Sequence, residues 1–362
     1  MTEPLQPDTP LSLMQRIEGR VARGLRSVPG AWLLRLIGEP PLVIDGLTLD
    51  AHVQFILASR RRKPHSLMCG PTPAEARRRN RNEIRAVTTA AGVRPTRARS
   101  VRDLTVPGAD GPLAARHYAP LAAGSDAPPP LLVFFHGGGF VICDLDTHDE
   151  PCRMLCHHGN MHVLSVAYRL APEHPFPAGL EDCIAALRWA IAHAGELGAD
   201  PSRICVGGDS AGANLAVGAA LAMASEDRPI AAQLLIYPTT DSASTHASRK
   251  LFAEGFVLTS ADMNAFEALY LNDDLGLRSN PRVSPARSPS LAQCPPTLVI
   301  TAGFDPLRDE GEEFAEDLTD AGVSAQCQRE SRLVHGFLHM TTVVPEAYAA
   351  VVRMARQFRK ML

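Results

Sequence analysis

The sequence contains no stretch that approaches the roughly 18 uninterrupted apolar residues of a membrane span, so no spanning helix is expected. Its first residues, MTEPLQPDTP, lack the basic start and apolar core of a secretory signal, which favours a cytoplasmic location. A net charge of -3 lacks the basic excess that would point to a nucleic-acid partner. No internal repeat is visible. The eight cysteines show no framework that implies an oxidising compartment, and in 362 residues most are read as buried small hydrophobes. Cys152 and Cys156, four apart, share a helix face, and thiolates with the imidazoles of His157 and His158 nearby suit zinc. No second pair at finger-like spacing is present, so this segment reads as a buried helix and no metal is assigned.

Hydrophobic residues make up 45% of the chain and charged residues 21%, a balance that supports a substantial core. One large α/β domain with a smaller appendage fits the length. Residues 1–10 read as disordered. Leu11, Met14, Ile17, Val21 and Leu25 recur at helical spacing among arginines, so a packing helix is expected up to about Gly38. Such a basic amphipathic helix could also touch a membrane surface peripherally. Further helices are expected over about 49–60 and 73–91. Two strands should flank an Asp110-Gly111 turn.

From there strand and helix patterns alternate. Strands are expected at 131–135, 162–168, 203–207, 232–237, 297–302 and 325–330, with helices at 178–193, 211–225 and 309–321. That order predicts a mostly parallel sheet with helices on both faces. The alternation is interrupted between Tyr237 and Thr297 by a helical segment near 260–271. In such a sheet an insertion of this kind lies over the carboxyl ends of the strands, where ligands bind. The expected division is an extension over 1–40, a first cap part over 41–92, a first catalytic part over 93–238, a second cap part over 239–275 and a second catalytic part over 276–362.

The chemistry centres on Gly208-Asp209-Ser210-Ala211-Gly212, a G-x-S-x-G pattern between a strand and a helix. A serine there sits on a sharp turn with its hydroxyl exposed, and the helix behind it directs its positive end at the site. The serine needs a base, and the base an orienting acid, in the chain order serine, acid, histidine. Only His246, His335 and His339 come after Ser210. His246 falls in the expected cap and His339 in the expected closing helix, so His335, in a loop after the last strand, is the base. Asp305 directly follows a strand, whereas Asp309 and Glu310 fall where carboxylates cap a helix. Asp305 is therefore the acid.

Together with His136-Gly137-Gly138-Gly139-Phe140 and the block YRLAPEHPFPAGLED, these motifs resemble the hormone-sensitive-lipase-like family of α/β-hydrolases, the bacterial family IV carboxylesterases, in its GDSAG branch. The resemblance covers about residues 40–362. It implies the α/β-hydrolase fold with a helical cap, a triad of Ser210, Asp305 and His335, and an oxyanion hole from the amides of Gly137, Gly138 and Ala211. It also implies hydrolysis of small-molecule esters with short to medium acyl chains and no cofactor.

His136 and Gly139 are expected to support the glycine loop, and Phe140 and Asp209 to border the substrate, as are cap residues near Phe256 and Met263. An amidase or deacetylase would use the same triad. A non-catalytic receptor on this fold is the reading from another class, and the complete triad argues against it. The glycine loop lacks the G-x-G-x-x-G spacing and the lysine of nucleotide-binding loops. The family usually carries glycine where Cys143 stands, which marks this thiol as a departure. The last strand, if it is an edge, could pair with a second copy in a homodimer.

Overall fold

The computed structural model describes residues 24–61, 66–68, 72–88, 94–121, 127–228 and 230–362. Most of the expected amphipathic segment before residue 24 lies outside them. Helix α1 (Gly30–Ile37) is ended by Gly38 in the left-handed conformation at φ 72°. A small hairpin, β1 (Val43–Ile44) and β2 (Leu47–Thr48), leads to α2 (Ala51–Arg60). Asp50 caps α2, accepting the amides of His52 and Val53 at 2.9 and 3.2 Å. Helix α3 (Pro73–Thr88) completes the N-terminal helices. Among the described residues no helix is long and apolar enough to cross a membrane.

An eight-stranded sheet comes next. Strands β3 (Ser100–Gly108) and β4 (Gly111–Ala119) form the expected hairpin. The parallel part comprises β5 (Leu131–Phe135), β6 (His162–Val166), β7 (Ile204–Asp209), β8 (Ala232–Ile236), β9 (Thr297–Phe304) and β10 (Ala325–Val334). Their spatial order is β10-β9-β8-β7-β5-β6-β4-β3, so β10 and β3 are the edges.

Period-two alternation sends successive side chains to opposite faces. Leu132 and Phe134 of β5 join one core cluster with α4 (Asp149–Gly159) and the closing helix α10 (Pro345–Lys360). Leu131, Val133 and Phe135 join the other, with α5 (Ala178–His193), α6 (Ala211–Ser225) and α9 (Arg308–Asp320). Both faces of the parallel strands are covered, as their continuous apolar runs require. Cys152 and Cys156 belong to the first core.

Strand β5 is flanked by β6 on one side and β7 on the other, which makes it the point where the winding reverses. The crevice at such a point, beyond the carboxyl ends of the strands, is where ligands bind in open α/β sheets. A third apolar cluster lies over it. After the short helix α7 (Ala247–Leu251), Phe266 and Tyr270 of α8 (Ser260–Tyr270) meet Ala76 of α3 together with Val141 and Ile142 of the glycine-rich loop. Arg77 fastens α3 down by donating to the carbonyls of Val141 at 2.6 Å and Ala171 at 2.7 Å.

Two expectations shift. His339 does not lie in the closing helix but in a single 3-10 turn, Phe337–Met340, ahead of it. Phe256 does not border the crevice. Its ring packs on Phe252 and Phe304 against the first core, because the chain turns inward before α8.

Candidate active site

Ser210 stands between β7 and α6 at φ 54° and ψ −120°. A non-glycine residue rarely occupies this region, and holding one there costs about 1–3 kcal/mol. The surroundings explain how the turn is held. A side chain at Gly208 would start 2.4 Å from the Phe135 carbonyl, and one at Gly212 only 2.0 Å from the same atom. The two glycines let β7, β5 and α6 close against one another around the serine.

His335 comes directly after β10, whose register against β9 slips between Glu330 and Val334. Gly336, at φ 74°, turns the chain away behind it. The ring's Nε2 lies 3.0 Å from Ser210 Oγ, and its Nδ1 lies 2.7 Å from Asp305 Oδ2. A carboxylate only accepts, so Nδ1 carries the proton and Nε2 is left to accept from the serine hydroxyl. Asp305 is fully buried, and its other oxygen accepts the Leu307 amide at 2.8 Å. Both oxygens are thus committed, and the ring is held in one orientation.

The glycine loop departs from expectation at one position. The Gly137 amide donates to Asp209 Oδ1 at 2.8 Å and does not face the cavity that Ser210 borders. It is therefore spent on positioning, and the assignment of Gly137 to the oxyanion hole is corrected. Gly138, Gly139 and Ala211 all border that cavity. Among the described residues, the amides of Gly138 and Gly139 have no hydrogen-bond partner. Ala211, as the first residue of α6, carries one of the helix's unpaired N–H groups. The Gly139 amide, expected only to support the loop, is thus unengaged beside the cavity. Gly138 and Gly139 adopt φ of 113° and 58°, and a Cβ on Gly138 would sit 2.3 Å from the Ile142 carbonyl.

Asp209 makes further contacts behind the cavity wall. It touches the cavity wall, but Oδ1 accepts Gly137 and Oδ2 accepts the Tyr237 hydroxyl at 3.2 Å. Burial would raise its pKa, but His148, His339 and the Gly137 amide outweigh burial and hold it at about 2. Tyr237 in turn packs on His335 with centroids 4.6 Å apart, so one carboxylate braces both the loop and the base. His136, expected to support the loop, makes two hydrogen bonds within it. Its Nδ1–H donates to the Gly137 carbonyl at 2.8 Å, and its own carbonyl accepts the Tyr168 hydroxyl at 2.6 Å. Phe140 stacks on Tyr270 at 3.7 Å and borders the cavity.

His148 is the residue that sequence reasoning missed. Its Nε2 lies 3.1 Å from Asp209 Oδ1 and helps to hold that carboxyl ionised. It sits in a loop with no spacing signal, 61 residues before the carboxylate it meets, so nothing local could mark it.

The cavity over Ser210 has a volume of about 770 Å³. Ile142, Leu258, Met263, Phe266 and Leu307 contribute to an apolar wall drawn from the glycine loop, α8 with the segment leading into it, and the loop after β9. The arrangement combines a serine hydroxyl, an oriented imidazole, three unspent amides and a pocket for apolar groups. That combination suits acyl transfer.

Comparison with known proteins identifies the family. A family model described as alpha/beta hydrolase fold matches residues 132–339. The Mycobacterium tuberculosis (strain ATCC 25618 / H37Rv) protein named carboxylic ester hydrolase LipN is 40% identical over 341 residues, which cover 90% of this chain and 88% of LipN. A hyperthermophilic esterase from the archaeon Pyrobaculum calidifontis superposes with a TM-score of 0.79 at 34% identity, covering 86% of this chain and 98% of the other. EstE1, a thermostable carboxylesterase cloned from a metagenomic library, gives a TM-score of 0.76 at 37% identity, covering 82% and 99%.

Proposed function

This chain belongs to the alpha/beta hydrolase family and is a carboxylic ester hydrolase, and we propose that it cleaves apolar small-molecule esters through an acyl-enzyme on Ser210. The observation that carries the reading is the unbroken relay from Asp305 to His335 to Ser210, at 2.7 and 3.0 Å.

Ser210 attacks the ester carbonyl while His335 Nε2 takes its proton. Asp305 holds the ring in the required tautomer and stabilises the imidazolium. The oxyanion meets the amides of Gly138, Gly139 and Ala211 at the positive end of α6. His335 then protonates the leaving alcohol, and water activated by the same ring hydrolyses the acyl-enzyme. In this reading, α1 to α3 and the segment around α8 form a cap that keeps bulk water from the acyl group. Short- to medium-chain acyl groups fit this enclosure.

The test is an acyl-chain-length profile on p-nitrophenyl esters, run beside Ser210→Ala and a matching anilide. The proposal expects a maximum at short to medium chains, little anilide cleavage, and no turnover by the variant. Faster cleavage of the anilide than the ester would make the protein an amidase instead.

A further inference from the structure

Cys143, His148 and His339 bring their ligand atoms within 4.8 Å of one another, the first two from the loop after β5 and the third from the turn after β10. Two observations set this group apart from a chance cluster. His339 Nδ1 is buried without a hydrogen-bond partner, and His148 Nε2 meets the Asp209 carboxylate at 3.1 Å. Most buried polar atoms are paired, and an unpartnered imidazole nitrogen beside a thiol and a second imidazole asks for a shared partner. Cys143 itself stands at φ 70°, a left-handed conformation that suits glycine and costs a side-chain-bearing residue about 1–2 kcal/mol.

One thiolate and two imidazoles form a donor set for zinc and similar divalent transition ions. Tetrahedral bonds of about 2.0–2.3 Å call for ligand atoms about 3.5 Å apart. Small side-chain rotations would close the present spacing around an ion. Cys143 and His339 also border the substrate cavity, so the remaining coordination position faces it.

We propose that Cys143, His148 and His339 form a three-ligand site for a zinc-like divalent ion, and that its occupancy slows ester hydrolysis. Binding releases the Cys143 thiol proton to solvent as the sulfur–metal bond forms, with no change in oxidation state. The coupling is built into the contacts. Cys143 Cβ packs behind Gly138, 3.1 Å from where a Gly138 Cβ would be. His148 stands 3.1 Å from the Asp209 oxygen that anchors Gly137. Drawing both side chains onto an ion moves the supports of the oxyanion loop. The inhibition rests on the proposed esterase reading, but the binding does not.

The experiment titrates the full-length protein with Co2+, followed by absorption, and separately measures inhibition by Zn2+. Cys143→Gly and His339→Gln are compared with the parent, and circular dichroism verifies folding. Glycine suits the backbone at position 143, so that variant should fold. The proposal expects a thiolate-to-cobalt charge-transfer band saturating at one equivalent. It expects the band to vanish in Cys143→Gly and apparent metal affinity to drop at least about 10-fold in His339→Gln. Zinc inhibition should weaken in parallel. A folded parent with no such band, or a band unchanged in Cys143→Gly, overturns the site. Cobalt binding with hydrolysis unaffected by zinc overturns the coupling.

Discussion

Asp209 Oδ1 accepts the Gly137 amide at 2.8 Å, so the residue beside the nucleophile fixes the loop that faces it. Asp209 ends β7, and Gly137 follows the neighbouring parallel strand β5 by two residues. Removing the carboxylate leaves a buried N–H without a partner, which costs about 1–3 kcal/mol. Asp209→Ala should therefore lower the unfolding free energy by about that amount in urea titrations. A loop misplaced by about 1 Å can lower the rate by roughly 10²-fold. Asp209→Asn, which can still accept the amide, should recover much of both. Equal losses in the two variants would show that charge, not the hydrogen bond, is what matters.

Gly139 carries a steric prediction. A Cβ there would lie 2.2 Å from the Phe266 ring at Cγ. Gly139→Ala should push the loop from its position and lower kcat by roughly 10²–10³-fold, the cost of losing one oxyanion donor. Phe266→Leu in the same chain should restore part of the rate by making room. No recovery in the double variant would place the damage in the backbone alone.

Asp305→Asn should leave the fold intact and lower kcat by about 10⁴, because an amide can donate to His335 and favour the wrong tautomer. Steady-state kinetics on a short-chain ester read this directly. A loss under 10-fold would remove Asp305 from the relay.

Acid sensitivity should come partly from a histidine far from the site. His117 on β4 accepts from Arg102 of β3 at Nδ1, 3.4 Å away, and donates from Nε2 to His162 of β6 at 3.0 Å. Burial, then the positive charge of His162 and Arg102, pushes its pKa down to about 4. His162 is shifted in the same direction, chiefly by burial. The unfolded chain therefore binds more protons than the fold between about pH 6.5 and 4, and stability falls as pH drops through that window. The thermal midpoint should decline from pH 7 to pH 5, and less steeply in His117→Gln. Parallel pH profiles would assign the decline to other groups.

Much of the fold and the site is legible in the residues themselves. The G-x-S-x-G turn, Asp305 after a strand and His335 before a glycine are local patterns, and chain order selects among the candidates. The hairpin at Gly108–Gly111 and the parallel strands come from alternation and turn chemistry. The features that stay hidden depend on long-range pairing. Which glycine amide is consumed depends on an aspartate 72 positions away. Phe256 and Met263 look alike as apolar residues of one segment, and only packing sends the first into the core. His148 gains meaning only from the Asp209 carboxylate that β7 carries to it.

Covalent capture decides whether Ser210 forms the acyl-enzyme on which the mechanism rests. The protein is treated with a p-nitrophenyl phosphonate ester, a reagent that traps activated serine hydroxyls as stable adducts, and intact mass and peptide mapping are recorded. One adduct per chain on Ser210 is expected, with loss of ester hydrolysis in proportion to labelling, and neither adduct nor turnover in Ser210→Ala. Full hydrolysis by Ser210→Ala, or inactivation with the adduct on another residue, would overturn the assignment.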